Sequence, residues 1–81
     1  MYLEILTPDK KIFAGNISSV RVPGTKGSFA VLEHHASIIS TLEKGKIRVV
    51  EGGAESFFGI SGGMIEVKDN KVIILAESVE I

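Results

Sequence analysis

The chain has 81 residues, room for one domain and one core. Nine Lys+Arg against ten Asp+Glu give a net charge of -1, and 44% of residues are hydrophobic, which excludes intrinsic disorder and the concentrated positive field of a non-specific nucleic-acid binder. With no cysteine, disulfide staples, thiolate zinc sites and a cysteine nucleophile are excluded as well.

The N-terminal stretch MYLEILTPDKK carries an acid at Glu4 and no basic region before an apolar run, so no signal peptide is read there. No apolar stretch approaches the roughly 20 residues that cross a bilayer. Asn16-Ile17-Ser18 fits a glycosylation acceptor, which carries no weight without an export signal. Turn signals follow at short intervals: Pro8-Asp9-Lys10, Gly15-Asn16, Pro23 to Gly27, Lys44-Gly45-Lys46, Gly52-Gly53, Gly62-Gly63 and Asp69-Asn70. Each supplies a pre-set φ, a positive φ or an Asx turn.

Between the turns lie short runs rich in Val, Ile and Phe. The segment from Ser28 to Lys44 lacks Gly and Pro, and Phe29, Leu32, Ala36 and Ile39 recur at helical spacing. Its β-branched residues and the polar break Glu33-His34-His35 favour two strands instead, about 28–32 and 37–42. KIRVVE alternates Ile47 and Val49 with Arg48, and MIEVK alternates Ile65 and Val67 with Glu66 and Lys68, giving one buried and one wet face. Val72 to Ala76 is apolar throughout and reads as a central strand buried on both faces. Strands of this length at this spacing predict an all-β fold, a small sandwich or flattened barrel of about 8–10 short strands with no long helix, forming a single domain over 1–81.

No constellation for catalysis emerges. His34 and His35 are adjacent, so a strand points them to opposite faces and a helix splays them by about 100°. A metal hydrolase built on Glu33, His34 and His35 is therefore poorly supported, and no cofactor is implied. Phosphate-cradling glycine motifs and a Gly-x-Ser-x-Gly elbow are absent, and Ser61-Gly62-Gly63 reads as a tight turn or bulge. The sequence describes a binding module. A free-standing barrel for a small ligand or oligonucleotide is the alternative reading, but it needs surface aromatics on a basic groove, and Phe57-Phe58 is the sole aromatic cluster.

VPGTKGSFAVLEHHASIISTLEKGKIRV, Val22 to Val49, resembles a pattern of the epsilon subunit of bacterial F-type ATP synthases: Val-x-Gly-x-x-Gly, an aliphatic pair, then Leu-Pro-x-His-Ala-Pro and Gly-x-Ile-x-Val. LEILTPDKKIFAG and FFGISGGMIEVKDNKVIILAESVEI resemble the same family's opening and closing segments, so the resemblance runs in one register over nearly the whole chain. His35 aligns with the family histidine. This chain departs at Ala30, Glu33 and Ser37, where the family has Gly, Pro and Pro, which leaves the loop less pre-set in φ. Many members continue into a C-terminal two-helix hairpin. This sequence stops at Ile81, where the sandwich is expected to end, so hairpin-mediated inhibition and ATP sensing are not expected.

The resemblance implies a non-catalytic rotor subunit at the foot of the central stalk, on the cytoplasmic face of the bacterial plasma membrane. It would pack against the gamma subunit and touch the c-ring, with membrane contact only through that ring. Carried over by alignment, Thr7, His35 and Ser40 would face gamma, while Thr25, Lys26 and Ser28 would meet the ring from a turn shaped by Gly24 and Gly27. Gly62 and Gly63 would shape a second turn. Docking on gamma requires an apolar patch larger than scattered residues, through which the isolated domain could self-associate. Phe29, Val31, Leu32, Ile47, Val49, Ile65, Val67, Ile73 and Leu75 are expected mainly in the core.

Overall fold

The computed structural model describes residues 1–80. Among them, ten strands and no helix build two five-stranded sheets stacked as a sandwich. The first sheet runs β2-β1-β9-β8-β5, with β1 (Tyr2–Leu6), β2 (Lys11–Asn16), β5 (Ile38–Leu42), β8 (Gly63–Lys68) and β9 (Lys71–Ala76). The second runs β10-β7-β6-β3-β4, with β3 (Ser19–Val22), β4 (Phe29–Leu32), β6 (Gly45–Glu51), β7 (Ala54–Ile60) and β10 (Val79–Glu80). Every pairing is antiparallel except β1 with β9, which lie parallel from Tyr2↔Lys71 to Leu6↔Leu75. The segment from Ser28 to Lys44 forms β4 and β5 around a polar break, as β-branched content favours. The expected end of the sandwich at Ile81 falls outside the described residues.

Turn chemistry sets the hairpins. Asp69 and Asn70 (φ 52° and 60°) and Gly52 and Gly53 (φ 57° and 85°) make two-residue turns with both φ values positive, matching the twist of the strands they join. Two expected turns are displaced: Gly15-Asn16 closes strand β2 opposite Leu3 and Tyr2, and Gly45-Lys46 already belongs to β6. At Gly63 (φ 159°) a Cβ would lie 2.1 Å from the Leu75 carbonyl oxygen, so β8 and β9 approach each other through a missing side chain.

The core is wholly apolar among the described residues, with Leu3, Ile5, Val20, Val31, Ile47, Ile65, Val72 and Ile74 fully or almost fully buried. Phe13 and Phe58 meet edge-to-face at 5.9 Å against its rim. Three core assignments need correction. Leu32 (59% exposed) follows the inward Val31 at the end of an edge strand. Ile73 and Leu75 (half-buried and 52% exposed) alternate with inward Val72, Ile74 and Ala76, so β9 is buried on one face only although it is apolar on both. Phe29 is half-buried and packs against the core.

Neighbours on β9 test this reading. Ile74→Ala should cost about 2–5 kcal/mol, lowering Tm by at least about 10 °C. Leu75→Ala should shift it by under about 3 °C, both measured by thermal denaturation followed by circular dichroism.

Candidate docking face

Period-2 alternation sends Leu6 and Tyr2, Ile73 and Leu75, Met64 and Glu66, and Ile39 and Thr41 to the outer side of the first sheet, opposite their buried neighbours. Register then groups them. Thr41, Met64, Leu75 and Leu6 fall in one cross-strand row, and Ile39, Glu66, Ile73 and Glu4 in the next. Ile39 is 68% exposed, Met64 45% and Leu75 52%. A shallow depression of about 420 Å³ lies between Leu6, Thr7, Pro8, Met64, Leu75 and Glu77, and a smaller one of about 200 Å³ between Ile39, Met64, Ile73 and Leu75. This is a contiguous apolar surface.

The other end of the same face is charged. Lys68 stands opposite Lys71, whose ammonium lies 5.9 Å from the Tyr2 ring centroid and 4.0 Å from Glu4. Lys11, hydrogen-bonded to Glu4 at 2.9 Å, holds that carboxyl below the usual carboxylate range, and Glu4 raises the Lys11 ammonium in return. The outer face of the second sheet differs. Its exposed Phe57 sits in a row with Arg48 and Arg21, and Arg48 pairs with Glu55. Apolar exposure is clustered on the first sheet and isolated on the second.

Thr7 borders the apolar end, where its backbone N–H and its hydroxyl bond to Lys10 across the Pro8-Asp9 turn. Ser40 lies on edge strand β5 opposite Ile65, on the inward-facing side, half-buried, its hydroxyl donating to the Thr41 carbonyl. His35 stands in the β4–β5 loop at the end of the sheet away from Thr7, and its Nδ1–H donates to the Ala36 carbonyl at 2.7 Å. These three residues share the first sheet and its margin but not one spot. The turn Gly24 to Gly27 closes by a 2.9 Å backbone bond, and Gly24 bridges to Leu42 while Thr25 bonds Thr41 through both backbone and hydroxyl. This loop of the second sheet is thereby pinned to the edge of the first, with Thr25, Lys26 and Ser28 exposed. A Cβ at Gly24 would lie 2.6 Å from the Gly27 carbonyl oxygen, and Gly27 has φ 125°.

The His35 loop is held by a polar cluster. The Leu32 carbonyl accepts the His35 N–H at 3.1 Å, closing a turn whose third residue, His34, has φ 63°. That is the pattern of a type II turn, which favours Pro at its second position and Gly at its third. Here those positions hold Glu33 and His34. Glu33 accepts from the Met1 ammonium at 2.5 Å and from the Asn70 amide at 2.9 Å, while the Asn70 side-chain oxygen accepts the His34 N–H at 2.9 Å. The Met1 ammonium first, and then Asn70, hold the Glu33 carboxyl below its usual range. No group of three or more His, Cys, Asp or Glu among the described residues is placed to hold a metal ion.

Sequence reasoning missed Met64 and Ile39 as site residues and placed Ile73 and Leu75 inside. The signal was available: a two-residue Asp69-Asn70 turn pairs Leu75 with Met64 and Ile73 with Glu66, whose outward direction the MIEVK alternation already gives.

The β-sandwich domain of the ATP synthase delta/epsilon chain matches residues 1–81 as a family. The ATP synthase epsilon chain of Anaeromyxobacter sp. (strain K) is 40% identical over 78 residues, 96% of this chain and 59% of its own. That of Chlorobaculum tepidum is 45% identical over 78 residues, 95% of this chain and 89% of its own. The chain thus spans about six tenths of the length of the first of these relatives. Among solved structures, a chain of the Euglena gracilis mitochondrial ATP synthase, seen by cryo-EM as OSCP/F1/c-ring, superposes with a TM-score of 0.91 at 25% identity, over 96% of this chain and 51% of that one. A chain of the Tetrahymena thermophila central stalk/c-ring assembly has the same fold, with a TM-score of 0.83 at 18% identity, over 98% of this chain and 64% of that one.

Two outcomes follow from the Glu33 cluster. His34→Gly removes a left-handed non-glycine residue and should raise stability by up to about 1 kcal/mol, read as a higher Tm. Glu33 has a folded pKa below its unfolded value, so its contribution is complete above the unfolded pKa of about 4.3 and is lost as pH falls through the folded one. The Tm deficit of Glu33→Gln should accordingly be seen at pH 7 and close as pH drops below about 4.

Proposed function

The chain belongs to the ATP synthase delta/epsilon β-sandwich family, and from that premise we propose that it is a non-catalytic rotor-stalk subunit of an F-type ATP synthase, docking on the gamma subunit and the c-ring. The observation that carries this reading is the exposed apolar patch of Ile39, Met64 and Leu75, which spans two adjacent rows on the outer face of the first sheet. An exposed cluster of this kind marks a protein interface, whereas single exposed residues such as Phe57 need no explanation. A stable interface buries about 800 Å² on each partner. On a body 26 × 25 × 20 Å, gamma would have to cover most of that face.

The ring contact would fall to Thr25, Lys26 and Ser28, exposed on a turn pinned to the neighbouring sheet edge. Proton flow turns the ring, and a stiff body bound to both ring and gamma helps carry that rotation to the catalytic sites. Two hydrogen-bonded sheets around a dry core suit that role, because neither docking surface can shift without disturbing the packing beneath it. The location that follows is peripheral, at the cytoplasmic face of a bacterial plasma membrane. No helix among the described residues is long and apolar enough to cross a membrane.

Co-elution with the gamma subunit of the same synthase on a sizing column tests the reading. Met64→Arg and Leu75→Arg should abolish the complex, while Phe57→Arg on the opposite face should leave it intact. Equal loss from both faces, or no complex with the wild type, would sink it. Lys26→Glu should weaken binding to detergent-solubilised c-ring by about tenfold and leave gamma binding unchanged, tenfold being about 1.4 kcal/mol.

A further inference from the structure

The β4–β5 turn has the wrong residues for its shape. Its second and third positions hold Glu33 and His34, so neither a fixed φ nor a glycine pre-sets the bend. His34 nonetheless sits at φ 63°, a conformation that a non-glycine residue keeps only when its surroundings enforce it. The enforcing contacts come from the neighbouring hairpin at the same end of the sheet. Asn70, at the tip of the β8–β9 hairpin, accepts the His34 N–H with its side-chain oxygen and donates its amide to Glu33, each at 2.9 Å. Both functional ends of one side chain thus bind two consecutive residues of a turn 36 and 37 positions away in sequence.

We propose that Glu33 and Asn70 are positioning residues: their clasp holds the His34–Ala36 segment in its docking shape, doing by tertiary contact what proline and glycine would do locally. The residue so positioned is His35. Its N–H is fixed on the Leu32 carbonyl and its Nδ1–H on the Ala36 carbonyl, so the ring presents Nε2 in a set direction only while the turn stands. Without the clasp the loop must be ordered when the partner binds, and that ordering reduces affinity. The clasp rests on the gamma-docking reading for its consequence, but its geometry does not.

The decisive variant is Asn70→Gly. Glycine retains the positive φ that the Asp69-Asn70 turn requires and removes only the side-chain contacts, so the hairpin and the fold survive. Three quantities are measured on wild type, Asn70→Gly and the double variant His34→Gly/Asn70→Gly: Tm, amide hydrogen exchange at residues 34 and 35 by NMR, and affinity for the gamma subunit of the same synthase. Expected for Asn70→Gly are a Tm within about 3 °C of wild type, exchange at both amides faster by at least tenfold, and gamma affinity lower by about tenfold, or about 1.4 kcal/mol. The double variant, whose turn is glycine-compatible without help, should recover most of that affinity. Unchanged exchange in Asn70→Gly overturns the clasp whatever gamma does. Failure of the double variant to recover also overturns it, because Asn70 would then be touching the partner directly. If wild type does not bind gamma, the docking reading falls and the exchange data alone decide the clasp.

Discussion

The packing of one apolar face of each sheet against the other sets every other feature of this molecule. Among the described residues no polar side chain is buried in the core, so the central strands keep their inward positions apolar at a period of two. Exceptions fall on outer strands: Ser40 half-buried on β5, and β2, where a register shift lets both Ile12 and Phe13 pack inward. A one-residue slip of β8 or β9 would turn Ile65 or Ile74 to water and bring Glu66 or Lys71 inside. The two-residue turns at Gly52-Gly53 and Asp69-Asn70 fix that register, and Gly63 lets β8 lie close enough to β9 to maintain it. Once the inner positions are committed, the outer ones are decided too. The exposed apolar face is the remainder of the core's own alternation.

That dependence explains which parts could be read in the sequence. KIRVVE and MIEVK mark their outward positions with charge, so β6 and β8 were legible directly. The Ser28 to Lys44 segment yielded its two strands because Glu33-His34-His35 interrupts it. In β9, from Val72 to Ala76, nothing polar distinguishes Ile73 and Leu75 from their buried neighbours, and the apolar run by itself reads as burial on both sides. A strand with an apolar outer face looks the same in sequence whether another layer of this chain or another protein covers it. Register across the Asp69-Asn70 turn shows which side is outward, because it sets Ile73 opposite the charged Glu66. Leu32 was misplaced for a smaller reason: it comes one residue after Val31, at the point where the strand ends.

The loops were legible as turns but not as anchored objects. The Gly24 to Gly27 bend follows from its glycines, whereas its attachment through Thr25 to Thr41 joins residues 16 apart on different sheets. Likewise the replacement of proline by Glu33 suggested a looser loop, and that inference considered only local φ. Asn70 and the Met1 ammonium reach it from 37 and 32 residues away. Long-range polar contacts of this kind leave no periodic trace, since they need only one suitable side chain at each end.

The parallel contact of β1 with β9 has a consequence in time. Tyr2 through Leu6 hydrogen-bond to a strand that begins at Lys71, and β1 separates β2 from the rest of its sheet. As the polypeptide leaves the ribosome, the β1–β2 hairpin emerges early and has no neighbour to pair with until β9, about 55 residues after the end of β2, has been made. The β3–β4 and β6–β7 hairpins of the other sheet can close meanwhile, but they have nothing to stack on. Closing so long a loop before any reward is slow. The nascent chain therefore carries an unpaired edge and an uncovered apolar face until β9 emerges, the interval in which association with the wrong neighbour is easiest.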